Sequence, residues 1–123
     1  MIFGTGIDTV EILRIAHFLN RHQRITHVFG ERESVWLLKK NSTASYAANF
    51  CAKEAFSKAI GTGIRDFSWA EVELLREENG RPYLFLSGRA AKKASDLQLT
   101  FHVSVTHDRT YATVVVIAEK RGG

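Results

Sequence analysis

Ser45-Tyr46-Ala47-Ala48-Asn49-Phe50-Cys51-Ala52-Lys53-Glu54-Ala55-Phe56-Ser57-Lys58-Ala59-Ile60 is the stretch on which the fold turns. Its spacing predicts a helix, yet Ala47, Ala48, Phe50, Cys51, Ala52, Ala55, Phe56, Ala59 and Ile60 surround the axis instead of forming one stripe. A helix that is apolar all round is buried on most of its sides. The rest of the chain must therefore cover it. Lys53, Glu54 and Lys58 interrupt this apolar surface, and Glu54 and Lys58, four residues apart, share a face with Ala47, Phe50 and Cys51. Charges in such a place are either paired or used.

Working outward, Asn41-Ser42-Thr43 forms a short polar break that offers N-cap residues to this helix, and Gly61 closes it. Before the break, Glu31 to Lys40 reads as a helix with acids in its first turn and Lys39-Lys40 in its last, as the helix dipole favours. Ile2 to Val10 reads as a strand. Glu11 then opens a helical stretch that places Ile12, Ile15, Phe18 and Leu19 on one face and leaves Arg14, Arg21 and Arg24 to solvent. On the other side, Val72 to Arg76 and Tyr83 to Leu86 flank an Asn79-Gly80 turn and read as a β-hairpin, with Pro82 near the start of its second strand. A short basic helix is expected near Arg89 to Leu97. Phe101, Val103 and Val105 alternate with polar residues, His107 to Thr110 turns, and Tyr111, Thr113, Val115 and Ile117 alternate again as a second hairpin. With no repeat and no linker, residues 1–123 are expected to form one domain.

Composition narrows the class. Hydrophobic residues at 45% and charged residues at 24% have the balance of a folded globular protein, not of a disordered or fibrous one. Cys51 is the only cysteine, so no internal disulfide forms, and its apolar neighbours suit a small buried residue better than a thiolate nucleophile. The opening Met-Ile-Phe-Gly-Thr-Gly-Ile-Asp lacks a basic region and reads as a strand, not as a secretory signal. No apolar run approaches the roughly 18 residues of a membrane span, so the expected location is cytoplasmic, away from membranes. A net charge of +4 favours an anionic partner: nucleic acid, a phosphorylated ligand or an acidic protein.

If the buried helix packs beside the first strand, Asp8 and Glu54 form an oxygen-only pair that suits Mg²⁺, an ion that keeps several waters and completes its shell with substrate phosphates. Lys58 could then reach a phosphate oxygen as a point charge, and Gly61-Thr62-Gly63 adds backbone amides. Each residue alone also has a plainer reading. Glu54 and Lys58 can be a surface pair, Asp8 a turn or cap residue, Gly-Thr-Gly a helix stop, and His107 a turn residue with no second histidine at zinc-ligand spacing.

The joint pattern is more specific. Gly6-Ile7-Asp8-Thr9-Val10-Glu11-Ile12 with Arg14-Ile15, then Phe50-Cys51-Ala52-Lys53-Glu54-Ala55-Phe56-Ser57-Lys58-Ala59 and Gly61-Thr62-Gly63, closely resembles the two signature segments of the holo-acyl-carrier-protein synthase family. Val103-Ser104-Val105-Thr106-His107 with Tyr111-Ala112 resembles that family's C-terminal hairpin. The resemblance implies a short 4'-phosphopantetheinyl transferase of α+β fold, a small antiparallel sheet packed with helices, assembled as a homotrimer with active sites between subunits. It implies Mg²⁺ as cofactor, coenzyme A as co-substrate and an apo acyl carrier protein as acceptor. Asp8 and Glu54 match the metal-binding acids, Lys58 the lysine on the coenzyme phosphates, His107 a coenzyme contact from the neighbouring subunit, and Arg14 a carrier-gripping arginine with Arg21 and Arg24 as helpers. Glu54 is the candidate base. The chain departs from the pattern at Asn49, where the family usually has an arginine, and Lys39 or Lys40 is expected to supply that charge toward the 3'-phosphate of coenzyme A.

Two other readings stand beside this one. A small basic nucleic-acid-binding domain fits the charge, but the aromatic residues fall at core positions and no RNA- or DNA-binding signature is present, so nucleic acid is not an expected partner. A family member that binds coenzyme A without turnover is the other.

Overall fold

The computed structural model describes residues 1–22, 25–63 and 66–122. Strand β1 (Ile2–Glu11) leads directly into helix α1 (Ile12–His22), followed by one turn of helix, α2 (Ile25–Val28), then α3 (Glu31–Lys40) and the long α4 (Thr43–Ile60). A hairpin of β2 (Val72–Arg76) and β3 (Pro82–Leu86), helix α5 (Gly88–Asp96) and a second hairpin of β4 (Leu99–His107) and β5 (Tyr111–Lys120) complete the chain. One antiparallel sheet has the order β1-β5-β4, and β2 and β3 form the other. The architecture is α+β, helices on small antiparallel sheets, as expected.

Helix α3 has the predicted ends, and α4 begins two residues before the predicted Ser45 because Ser42 is its cap, the hydroxyl accepting the Ser45 N–H at 3.3 Å. Asn41 ends α3 in the left-handed conformation, a role its short polar side chain tolerates. Glu11 closes β1 instead of opening α1, and the single turns at Ile25–Val28 and Trp69–Glu71 were not anticipated. Elements that short carry no periodic pattern.

Helix α4 touches all three parts of the core. Ala47, Ala48 and Phe50 pack with Ile12, Ile15 and Leu19 of α1, Val28, Phe29 and Leu37. Cys51, Ala52, Ala55 and Ala59 face Val114, Val116 and Ala118 of β5 with Leu74 and Leu99. Phe56 and Ile60 meet Phe67, Val72 and Ala90. Its small residues on the sheet side allow an unusually close approach. A Cβ on Gly6 would overlap the Ala55 carbonyl oxygen and come within 2.7 Å of the Ala59 nitrogen, and one on Gly4 would overlap the Ala59 carbonyl. Because these contacts are backbone, no side chain can give way. Gly6→Ala should therefore cost about 3 kcal/mol, at the upper end of overpacking effects, by forcing α4 off the sheet. Chemical denaturation checks this, and a loss under about 1 kcal/mol would show that the seam yields.

Candidate active site

Side chains alternate along a strand, so Gly4, Gly6, Asp8 and Val10 share the face of β1 that looks toward α4. The two glycines bring the helix close, and Asp8 then meets it. Opposite lies the α4 stripe Cys51, Glu54, Ala55 and Lys58, spaced three and four residues apart. Lys58 Nζ donates to the Asp8 Oδ1 at 3.2 Å and to the Ile7 carbonyl at 3.0 Å. Cys51 Sγ donates to the Asp8 carbonyl at 3.0 Å and lies 3.6 Å from Asp8 Oδ2. Burial, aided by the nearby Asp8 carboxylate, pushes the Cys51 thiol up to about 12, so it is a buried neutral donor beneath Asp8 and not a nucleophile. Burial, and next the charge of Asp8, hold the Glu54 carboxyl above the usual carboxylate range, and Lys58 partly offsets them. Among the described residues no hydrogen bond or ion pair reaches the Glu54 carboxylate, whereas Asp8 and Lys58 are 19% and 53% exposed and paired. The seam of β1 and α4 thus holds two crowded carboxylates and one half-exposed cation.

Behind this seam is a buried polar cluster that sequence reasoning left unassigned. Lys53 is 1% exposed and its Nζ donates to Glu33 Oε1 at 2.7 Å, to the Trp69 carbonyl at 3.1 Å and to the Val72 carbonyl. Glu33 also accepts from the amides of Gly30 and Leu74 and from Asn49 Nδ2. Burial pushes the Glu33 carboxyl up and the Lys53 ammonium down from their ordinary values, and the ion pair opposes both shifts. The pair ties α3 and α4 to the strand β2. Its only advance signal was a lysine in a helix with no polar face.

The remaining predicted residues fall in separate places. Arg14 is exposed and lines a groove of about 270 Å³ with Thr9, Glu11, Phe18 and Phe50, beside the end of β1 that carries Asp8. Arg24, and the side chain of Arg21, lie outside the described residues. Lys40 and His107 line a cleft of about 460 Å³ together with Trp36, Arg76, Gly80 and Pro82. Lys39 is exposed on α3 and is not part of that lining. Asn49 is fully buried, facing the Glu33 cluster. Gly61 caps α4 in the left-handed conformation, and the amides of Gly61 and Gly63 both donate to the Ser57 carbonyl, so they serve the helix end rather than standing open to a phosphate. Thr62 Oγ1 donates to the Gly63 carbonyl at 3.2 Å.

A family model described as the 4'-phosphopantetheinyl transferase superfamily matches residues 4–116. The holo-[acyl-carrier-protein] synthase of Trichlorobacter lovleyi is 41% identical over 124 residues, which make up 97% of this chain and 98% of that one. The solved holo-[acyl-carrier-protein] synthase of Neisseria meningitidis has a TM-score of 0.91 at 26% identity, covering 98% of this chain and all of that one. The Bacillus anthracis holo-(acyl-carrier-protein) synthase, solved in complex with CoA (3',5'-ADP), has a TM-score of 0.80 at 31% identity, with 98% of each chain covered. In sequence and in fold, over nearly its whole length, this chain belongs to the holo-[acyl-carrier-protein] synthase family of the 4'-phosphopantetheinyl transferase superfamily.

Proposed function

We propose that this chain, as one domain, moves the 4'-phosphopantetheine group of coenzyme A onto a serine hydroxyl of an apo acyl carrier protein, at a Mg²⁺ site held by Asp8 and Glu54. The observation that carries the reading is the meeting of Asp8, Glu54 and Lys58 on facing sides of the β1–α4 seam. The donor set fits the ion. Burial and the charge of Asp8 hold the Glu54 carboxyl up, and a divalent cation beside both acids would relieve it. A site with so few protein ligands leaves most of the shell to water and substrate phosphate, as Mg²⁺ prefers. Bound there, the ion would offset charge on the coenzyme diphosphate.

The side chains then divide the work. The serine oxygen bonds to the β-phosphorus, the bond from that phosphorus to the bridging oxygen breaks, and the oxygen leaves on adenosine 3',5'-bisphosphate. Glu54, whose carboxylate accepts no hydrogen bond among the described residues, takes the serine proton. Lys58, half-exposed on a flexible stem, exchanges its contact with Asp8 for a phosphate oxygen and offsets charge on the leaving group. Positioning and charge supply most of the catalysis in such transfers. Arg14, with Arg21 and Arg24 as helpers, receives the carrier, whose acidic surface would be drawn by complementary charge. The cleft with Lys40 and His107 receives the nucleotide end of coenzyme A.

The same reading includes a cytoplasmic homotrimer with sites between subunits. The face of the β1-β5-β4 sheet away from α4 is open in the single chain, where Ile7 is 61% exposed. The cleft shares no residue with the groove beside Asp8, which suits a cleft serving the acids of a neighbour. No helix among the described residues is long and apolar enough to cross a membrane.

Incubation with apo carrier, coenzyme A and Mg²⁺ should add one phosphopantetheine to the carrier by mass spectrometry, and chelation of Mg²⁺ should stop it. Light scattering should give three times the chain mass of 13.8 kDa. A carrier that gains no mass would overturn the transfer, and an active monomer would overturn the shared sites.

A further inference from the structure

Arg76, the last residue of β2, is partly buried and lines the cleft that holds Lys40 and His107. It is fixed from two sides. Its Cζ lies 4.4 Å from the centre of the Trp36 ring, and Nη2 donates to Asn49 Oδ1 at 3.4 Å. The direction of that oxygen is set in turn, because Asn49 Nδ2 donates to Glu33 Oε2 at 2.9 Å and to the Leu74 carbonyl at 3.0 Å. The other guanidinium nitrogen, Nη1, is buried and has no hydrogen-bond partner among the described residues. A buried donor left unpaired is costly, and an incoming oxygen acceptor removes the cost. A planar cation with one nitrogen anchored and the other unpartnered suits a phosphate oxygen.

We propose that Arg76 binds the 3'-phosphate of coenzyme A and that Asn49, anchored on the buried Glu33–Lys53 pair, positions it. The inference rests on the coenzyme A reading above. With the diphosphate at Asp8 and Glu54, the 3'-phosphate is the one anionic group of the coenzyme left to place, and the Trp36 ring and Lys40 beside Arg76 supply apolar surface and a second cation. Glu77 and Glu78 also line this cleft, but they are exposed on the hairpin turn, where water screens them, whereas Arg76 acts from partly buried surroundings. The cation expected from Lys39 or Lys40 thus comes chiefly from β2, with Lys40 at the rim.

The test compares coenzyme A with dephospho-coenzyme A, which lacks only the 3'-phosphate, as donors for the wild type and Arg76→Gln. Glutamine keeps a stem over Trp36 and an amide donor for Asn49 but has no charge. Arg76→Met is a second neutral variant should glutamine impair folding, which thermal denaturation reports. The wild type should favour coenzyme A by about tenfold or more in kcat/KM, the scale of one hydrogen bond to a charged group. The neutral variants should lose most of that preference, through KM for coenzyme A. Calorimetry with adenosine 3',5'-bisphosphate against 5'-AMP should show the same loss of discrimination without requiring turnover. An equal loss on both donors, or an unchanged preference, overturns the role of Arg76. Wild-type protein inactive with both donors would instead overturn the proposed function, and calorimetry would still judge Arg76.

Discussion

Glu54→Gln, and separately Asp8→Asn, should lower kcat/KM for transfer by roughly a thousandfold or more, while the thermal midpoint of the metal-free protein holds within a few degrees or rises. The loss follows from the charge stabilisation that each acid would support, where each factor of ten corresponds to about 1.4 kcal/mol of barrier. The stability follows from the geometry. Glu54 is held above its ordinary carboxyl range by burial and by Asp8, so neutral glutamine removes a conflict that the fold tolerates. Asp8→Asn weakens a contact to a lysine that is 53% exposed, and such pairs contribute about 1 kcal/mol at most. Residues kept for function at a cost in stability give this combination. Steady-state transfer kinetics and thermal denaturation of the same samples provide the check. A variant retaining a tenth of wild-type turnover would remove that acid from the metal site, and a collapsed midpoint would make it a structural residue.

How far the chain could be read depended on whether a feature was local. Helix α4 was legible because its composition is enough to bury it, and its ends were marked by Ser42 and Gly61. The proximity of Asp8 and Glu54 was half-legible. Each lay in a recognisable segment, and Gly4 and Gly6 stand at strand spacing before Asp8, but only packing shows that these glycines admit the helix backbone. Lys53 and Glu33 were opaque because their bond depends on how α3 crosses α4, which spacing within either helix does not encode. Arg76 read as an ordinary strand residue next to a turn, and its direction is set by Asn49, a residue first noticed only as a departure from the family pattern. Of the two readings of Gly61-Thr62-Gly63, amides for a phosphate or a helix stop, the amides of Gly61 and Gly63 follow the second and cap α4. For Asp8, Lys53, Glu33 and Arg76 the missing information was a contact between elements.

That same dependence makes Lys53 the most consequential residue outside the site. Lys53→Met should destabilise the protein by about 3–5 kcal/mol, because Glu33 remains fully buried without its countercharge and the carbonyls of Trp69 and Val72 lose a donor. That is a large part of the roughly 5–15 kcal/mol that usually separates folded from unfolded chains. The double variant Glu33→Gln/Lys53→Met should be less harmful than the sum of its parts, with a coupling of about 2 kcal/mol, since removing the acid's charge removes the reason for the penalty. Glutamine cannot accept from all the donors around Glu33, so the double variant should still fall short of wild type. Urea unfolding of the four proteins gives the cycle directly. If Lys53→Met costs under about 1 kcal/mol, Glu33 takes up a proton at little expense and the pair is not what joins α3, α4 and β2. If the coupling holds, the pair that stabilises the core also fixes Asn49, and through it the direction of Arg76 in the cleft.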